Sequence, residues 1–168
     1  MTVQYTDNFS FPLAPDTTEN WGAIINGVLE DLDALIHSCD RCLAEGVSVD
    51  LNLAAFTEIS LYTVPTGYKF YPTKVVLRNF SADITTAVIT LGIAGGSSAA
   101  LCDEFLGDQT LTTDDYENQV LILQPVPNAT PNASVLLDAA EIFGLEITTP
   151  EGGALTCVAD VYGKLIAI

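Results

Sequence analysis

Positive charge is scarce in this sequence, which has five Lys and Arg residues against 22 Asp and Glu residues and a formal net charge of −17. Proteins that bind nucleic acid or an anionic membrane surface cluster Lys and Arg against the phosphates. The composition therefore argues against both kinds of partner. The acidity favours solubility at high concentration, but it does not by itself identify a partner.

Long apolar runs are also missing. No run reaches the roughly 20 residues that a helix needs to span a bilayer. The opening stretch, MTVQYTDNFSFPLAPD, has neither the basic region nor the continuous apolar segment of a secretory signal. We therefore expect a protein that is made in a cytosol and has no membrane partner.

Charged residues make up only 16% of the chain, whereas hydrophobic residues make up 49%. A chain of this length buries enough surface to fold without disulfides or metals. The low charge content, with many Val, Ile, Leu, Thr and Ala residues, predicts surface that is buried against partners. We expect an oligomer, with a compact monomer as the alternative.

Residues 1–15 contain Pro12 and Pro15 and show no helical periodicity, which predicts an extended arm. We expect this arm to dock on a neighbouring protein, with disorder as the alternative. The candidate docking residues are Tyr5, Phe9, Phe11, Pro12 and Leu13.

Residues 16–46 are predicted to be a helix. Asp16 and Glu19 supply a capping start, and the helix runs to about Glu45, with Gly46 placed to stop it. Apolar residues repeat at alternating spacings of four and three along the whole segment, which is the heptad pattern of a coiled coil. The seam residues are Trp21, Ile25, Val28, Leu32, Leu35, Cys39 and Cys42.

The apolar stripe of this helix is wider than a two-stranded seam, because Ile24, Leu29 and Ile36 extend it. A lone helix of this length is marginal in water, so the pattern predicts a partner. We expect two further copies of the same helix, which makes it a trimerisation helix. Packing on the β-domain of the same chain is the alternative.

Residues 47–57 are predicted to be an edge strand or a linker, and residues 58–168 to be a β-sandwich, because short alternating segments are separated by turn signals. The predicted strands are Ile59–Val64, Lys69–Asn79, Thr85–Ile93, Ala99–Phe105, Asn118–Leu123, Ser134–Leu137, Ile142–Thr148 and Leu155–Ile166. Short strands at this spacing predict two sheets of jelly-roll or Greek-key type. The predicted fold class is mainly β: a jelly-roll-like sandwich with an N-terminal coiled-coil stem.

Several stretches of the β-region are similar to known proteins. Residues 61–67 (LYTVPTG) and 73–79 (TKVVLRN) resemble the opening strands of small jelly-roll domains in tailed-phage virion proteins. Residues 138–143 (DAAEIF), 148–152 (TTPEG) and 161–166 (VYGKLI) resemble the closing strands of the same domains. Such domains occur in head fibres, capsid decoration proteins and tail-associated fibres, so the resemblance implies a structural virion role.

The predicted helix has a likeness of its own. Trp21, Gly22, Asn26 and residues 32–36 (LDALI) resemble the trimerising N-terminal segments of phage fibre proteins. Those segments usually precede a long shaft, whereas only about ten residues separate this helix from the predicted sandwich. The resemblance therefore implies a compact trimer on a capsid, neck or tail rather than a long tail fibre.

Catalytic and metal-binding patterns are sparse. The chain has one histidine, His37, so a Ser-His-Asp or Cys-His site would depend on a residue of the predicted helix. Cys39 and Cys42 form a C-x-x-C without the second pair that a zinc site needs. We interpret both as small seam residues, with interchain disulfides or a metal shared between copies as alternatives, and Cys102 and Cys157 as buried thiols.

Adjacent carboxylates occur at residues 103–104 and 114–115 and are interpreted as solvated charges. Asp114, Asp115 and Glu117 are also a candidate Ca²⁺ site. We expect no enzyme, and neither a catalytic residue, a resident metal nor a cofactor.

Together these patterns predict a structural virion protein, a capsid decoration (cement) or head-fibre homotrimer on the particle surface, whose partner is the major capsid protein or another virion protein. The alternative is a neck- or tail-associated fibre that binds a host-surface glycan or receptor. Tyr68, Tyr71 and Tyr116 are its candidate contact residues.

Overall fold

The computed structural model describes residues 25–32, 40–95, 102–126 and 135–168. The chain divides into two units, Met1–Cys39 and Asp40–Ile168. The described part of the first unit is one α-helix, α1, at residues 25–32. This helix lies inside the predicted trimerisation helix. The rest of the predicted stem up to residue 39 lies outside the described residues.

The described part of the second unit contains eight strands: β1 (Arg41–Asp50), β2 (Thr57–Thr63), β3 (Tyr68–Arg78), β4 (Val88–Ala94), β5 (Leu106–Thr110), β6 (Leu121–Leu123), β7 (Ile142–Thr149) and β8 (Thr156–Ala167). They form two four-stranded sheets. The first sheet has the order β1-β8-β3-β6, and the second has the order β2-β7-β4-β5. The predicted mainly β class with a β-sandwich is therefore confirmed.

The strand pairing is nested. β1 pairs with β8, β2 with β7, β3 with β6 and β4 with β5, and every one of these pairs is antiparallel. The first strand thus lies beside the last, the second beside the second-last, and so on to the two middle strands. The two halves of this unit therefore run side by side as one antiparallel ribbon that folds over into two sheets.

Aromatic rings join the two sheets across the core. Phe70 of β3 meets Phe143 of β7 edge to face, with 5.7 Å between ring centroids. Phe105 meets the other side of Phe143 at 5.4 Å. All three are buried, and such T-shaped pairs stabilise a core beyond the area that they bury. The inward residues of both sheets belong to one hydrophobic cluster.

The predicted helix is wrong at its C-terminal end, because residues 41–50 are the edge strand β1, paired with β8 from Arg41↔Gly163 to Asp50↔Thr156. The register shifts twice between Cys42 and Val47, so the usual alternation of a strand is lost there. Gly46 does adopt a positive φ of 75°, but it serves a bulge in β1 and not a helix stop.

Two predicted strands also differ from the structure. In place of Ala99–Phe105, β5 begins at Leu106, and the described residues 102–105 form bends outside any strand. In place of Ser134–Leu137, the described residues contribute an isolated bridge between Leu137 and Phe70. The segment 47–57 is divided: its first part completes β1, and residues 51–56 lead into β2.

Candidate functional site

The described seam residues form an exposed apolar row on α1. Ile25, Val28 and Leu32 are 47%, 61% and 43% exposed within a single chain. Their spacings of three and four residues put them on one face of the helix. An apolar row of this kind is the pattern by which one helix packs against copies of itself.

The remaining seam residues separate into two groups. Cys42 belongs to β1, where it lies opposite Tyr162 of β8, so its assignment to the helical seam is wrong. The seam residues Trp21, Leu35 and Cys39, and the arm residues Tyr5, Phe9, Phe11, Pro12 and Leu13, lie outside the described residues. The C-x-x-C therefore does not lie on one continuous helix.

The three described cysteines are free thiols, and two of them are buried. Burial raises the pKa of Cys157 to about 12. Burial, and then the charges of Glu104, Glu58 and Glu146, raise the pKa of Cys102. Burial also raises the pKa of Cys42. Because the thiolate is the reactive form, none of the three is a nucleophile poised for catalysis.

Asp160 is a buried carboxylate that holds the first sheet together. It accepts hydrogen bonds from Arg78 Nε at 2.6 Å and Nη2 at 3.1 Å, and from the Gly46 N–H at 2.9 Å. The hydrogen bond from Arg78 lowers the pKa of Asp160 against the opposing effect of burial. The side chain is therefore an ionised anchor for the bulge of β1.

Glu151 has the same role at one end of the sandwich. Its carboxylate accepts hydrogen bonds from the Thr85 N–H and hydroxyl and from the Thr86 and Ala87 N–H groups. Burial by itself raises the pKa of Glu151, but these hydrogen bonds outweigh it and lower the pKa to about 2. Such a carboxylate orders a loop and does not act as a proton donor near neutral pH.

The candidate Ca²⁺ residues face different partners. Asp114 Oδ1 accepts from Gln119, Asp115 accepts from Asn118, and the Glu117 carboxylate accepts from the Tyr116 hydroxyl at 3.3 Å. The part of the chain that the structure describes contains no group of three or more His, Cys, Asp or Glu side chains able to hold a metal. The Ca²⁺ interpretation therefore has no support from this geometry.

An open cleft of about 340 Å³ lies between the edge strands β5 and β6. The described residues that line it are apolar or neutral, and they carry no acid, base or thiol: Leu106, Gln109, Thr110, Leu111, Thr112, Leu121, Ile122, Leu123, Gln124 and Val126. General acid–base and nucleophilic catalysis both need such groups. The cleft is therefore an uncharged groove at the edge of the sandwich.

A surface that the sequence analysis missed is the outer side of the first sheet, here called the cationic sheet face. It consists of Lys69, Lys74, Val76, Arg78, Val158, Tyr162, Lys164 and Ile166. Facing pairs such as Lys69↔Ile166, Lys74↔Tyr162 and Arg78↔Val158 put these side chains on one side, where Asp160 faces Val76. The residues that point to the other side are buried: Phe70, Val75, Leu77, Ala159, Val161 and Leu165. Alternation in the two predicted strands was the signal that would have found it.

All five Lys and Arg residues of the chain lie in the first sheet, on β1, β3 and β8. The strands of the second sheet carry none, and they include Glu58, Asp108 and Glu146. The sandwich is therefore electrostatically polarised, because the strands of the first sheet carry all five cations besides Glu45, Asp50 and Asp160, and those of the second sheet carry only acidic charged groups.

None of the described helical residues forms a segment long and apolar enough to cross a membrane.

No protein-family model matches the sequence, and no curated protein matches it. Among solved structures, the chain is similar to a chain of the acidic stable capsid structure of Helicobacter pylori bacteriophage KHP30, with 12% identity, a TM-score of 0.41, and coverage of 77% of this chain and 97% of that one. It is also similar to a chain of the capsid of Ralstonia phage GP4, with 14% identity, a TM-score of 0.40, and coverage of 74% and 86%. The function proposed below therefore rests on the chain's own residues.

Proposed function

We propose that this chain is a structural protein of a tailed-phage virion, a homotrimer that decorates or cements the capsid or forms a short head fibre. The observation that carries the proposal is the exposed apolar row of Ile25, Val28 and Leu32 on α1. A protein whose helix presents such a row at heptad spacing is built to assemble. The resemblance of the sequence to tailed-phage virion proteins indicates the kind of particle in which the chain assembles.

The nested strand pairing supports the finer assignment of the sandwich as a jelly roll. An eight-stranded double sheet of this kind is used by viral capsid proteins, lectins and cupins. A cupin holds its metal with several histidines, whereas this chain has one, His37, and the described strands contain none. That leaves a virion or carbohydrate-binding role among the three, and the seam favours the virion role.

Binding of a host glycan by a neck or tail fibre is the second candidate, and no contact in the described residues favours it. Tyr68 lies on β3 and Tyr116 in the β5–β6 connection, and both pack partly against the core. Tyr71 is half-buried on β3. Copy number separates the two roles: a decoration protein is abundant relative to the major capsid protein, and a neck or tail fibre is present in few copies per particle.

The trimer is tested by charges placed in the seam. Ile25→Asp with Leu32→Asp puts six carboxylates into the core of a three-helix bundle, and each unpaired buried charge costs several kcal/mol. Both residues are partly exposed in one chain, so the sandwich itself has no reason to unfold. Sedimentation should give a trimer for the natural chain and a monomer for this variant.

The matched control carries the same added charge outside the seam. Asn26→Asp with Gly27→Asp lies on the same helix, and a Cβ at Gly27 meets no atom within 4 Å. We expect this control to remain trimeric. A seam variant that keeps the natural mass would show that α1 is not the assembly element.

A further inference from the structure

We propose that the cationic sheet face is the surface on which a neighbouring copy of the chain packs within the trimer. Its lysines Lys74 and Lys164 would meet acidic side chains of that copy. The inference rests on the proposed homotrimer and adds the second interface, between sandwiches, to the one between helices.

Among the described residues, the outer side of the first sheet presents half-buried and exposed side chains, whereas the second sheet is partly covered by the chain itself. Cys102 is fully buried over the second sheet, where its N–H donates to Glu146 at 2.9 Å. Glu104 accepts the Ile93 N–H at 2.8 Å. A Cβ at Gly92 would meet the Glu104 carboxylate, so the glycine makes room for this covering segment.

Charge decides which surface two acidic copies can bring together. Each copy carries −17, so most of their surfaces repel one another. On the cationic sheet face, Arg78 pairs with Asp160 at 2.6 Å and Lys69 with Asp138 at 2.7 Å. Those acids are balanced locally, which makes this the face with the least negative charge.

Lys74 and Lys164 of the face are available to form ion pairs with a neighbouring copy. No carboxylate in the described residues lies within ion-pair distance of Lys74 or Lys164. Lys74 lies over the Tyr162 ring, with its Nζ 4.5 Å from the ring centroid, and Lys164 is exposed. In a chain with 22 acidic residues, the complementary charge is present on the neighbouring copy.

The face also carries apolar side chains, and the sheet that bears it is large enough for an interface. Val76 and Val158 are half-buried, and Ile166 is 46% exposed. The whole outer side of the first sheet, which extends this face over β1 and β6, covers roughly 600 Å² at strand spacings of about 4.8 Å and rises of about 3.3 Å per residue. That area is near the lower limit of about 600 Å² per partner for specific interfaces.

The symmetry of a trimer fits this charge pattern. A ring of three copies uses two different surfaces of each chain, whereas a twofold dimer places one surface against itself. The ring therefore brings Lys74 and Lys164 against a different part of the neighbour. In the described second unit, the strands outside the first sheet carry acidic residues and no lysine or arginine.

The test removes the charges of Lys74 and Lys164 and compares this variant with a control variant of the same net charge. Lys74→Gln with Lys164→Gln lowers the net charge by two on the cationic sheet face. Gln109→Glu with Thr149→Glu lowers it equally at exposed positions of the second sheet. Analytical ultracentrifugation over a concentration series measures the monomer–trimer equilibrium of the natural chain and of both variants.

We expect the lysine variant to need about tenfold more protein for half-assembly, because each trimer loses six exposed ion pairs of about 0.5 kcal/mol each and its half-assembly concentration varies as the square root of its dissociation constant. The control should change by less than about threefold. The difference between them should shrink at 1 M salt, where charges are screened beyond about 3 Å. Equal behaviour of the two variants would overturn the proposal.

Other outcomes are separable. A natural chain that is monomeric at every concentration contradicts the proposed trimer itself. A lysine variant that stays trimeric but no longer binds purified particles assigns the face to a different virion protein and overturns the inference alone. Circular dichroism checks that the variants fold. If the double variant does not fold, the assembly of Lys164→Gln alone tests the proposal, because this exposed side chain has no partner among the described residues.

Discussion

The buried carboxylate of Glu151 gives the sharpest stability prediction. It accepts four hydrogen bonds from residues 85–87 at 2.5–3.1 Å, and its pKa falls from an ordinary 4.5 to about 2. A pKa lowered by that amount corresponds to about 3 kcal/mol of stability for the ionised form. Because the pKa is lower in the folded chain, this stability is complete above about pH 4.5 and is lost as the pH falls towards 2.

The change to make is Glu151→Gln, which keeps the size of the side chain and removes its charge. We expect the variant to be about 2–3 kcal/mol less stable at pH 7, since neutral hydrogen bonds are weaker and the amide NH₂ group faces backbone donors. Near pH 2 the natural chain and the variant should be nearly equal in stability.

Urea unfolding followed by circular dichroism, at one protein concentration and at pH 2 to 7, measures this difference. The matched control is Glu117→Gln at an exposed loop position, which should change the free energy of unfolding by less than about 0.5 kcal/mol. A difference between the natural chain and Glu151→Gln that stays constant over this pH range would refute the reasoning.

Three further predictions concern packing, an ion pair and thiols. Gly144→Ala should destabilise by about 2–3 kcal/mol, because the new Cβ would lie 2.5 Å from a side-chain carbon; Gly152→Ala, which meets nothing within 4 Å, should be nearly neutral in the same urea assay. Asp160→Asn should cost about 1–3 kcal/mol at neutral pH, and this loss should shrink as the pH falls through the lowered pKa of Asp160. Cys102 and Cys157 should react with a thiol reagent only after unfolding, and rapid labelling of either in the native protein would contradict their burial.

The strands near the C-terminus were accurately predictable from the sequence. The ends of the predicted segments Ile142–Thr148 and Leu155–Ile166 lie within one residue of the ends of β7 and β8. Both strands have inward apolar residues, and turn residues bound them on either side. Where an apolar run is bounded by turn residues at both ends, the sequence pattern contains the information that fixes the strand.

The error at β1 has a physical origin. Cys42 continues the four-three spacing of the helix before it, but in the structure it belongs to a strand whose alternation is interrupted by bulges. The partner that stabilises this segment is β8, more than a hundred residues away in the sequence, with Asp160 accepting the Gly46 N–H. A local pattern carries no information on such a partner, so tertiary pairing prevails over periodicity.

The candidate interface was missed for a related reason. The lysines on β3 and Lys164 on β8 are far apart in sequence, and only the pairing of these strands brings Lys74, Tyr162 and Lys164 onto one face. The seam on α1 could be found because it is local, since helix neighbours are three and four residues apart. A surface built from paired strands can be predicted only when the strand register is known, and the sequence does not state that register.

Cryo-electron microscopy of purified phage particles that encode this chain tests the central claim most directly. The account predicts threefold density on the outside of the particle, into which three copies of the sandwich fit, with each cationic sheet face against the next copy. Particles that lack the protein, or that carry it as isolated single copies, would contradict a trimeric structural role.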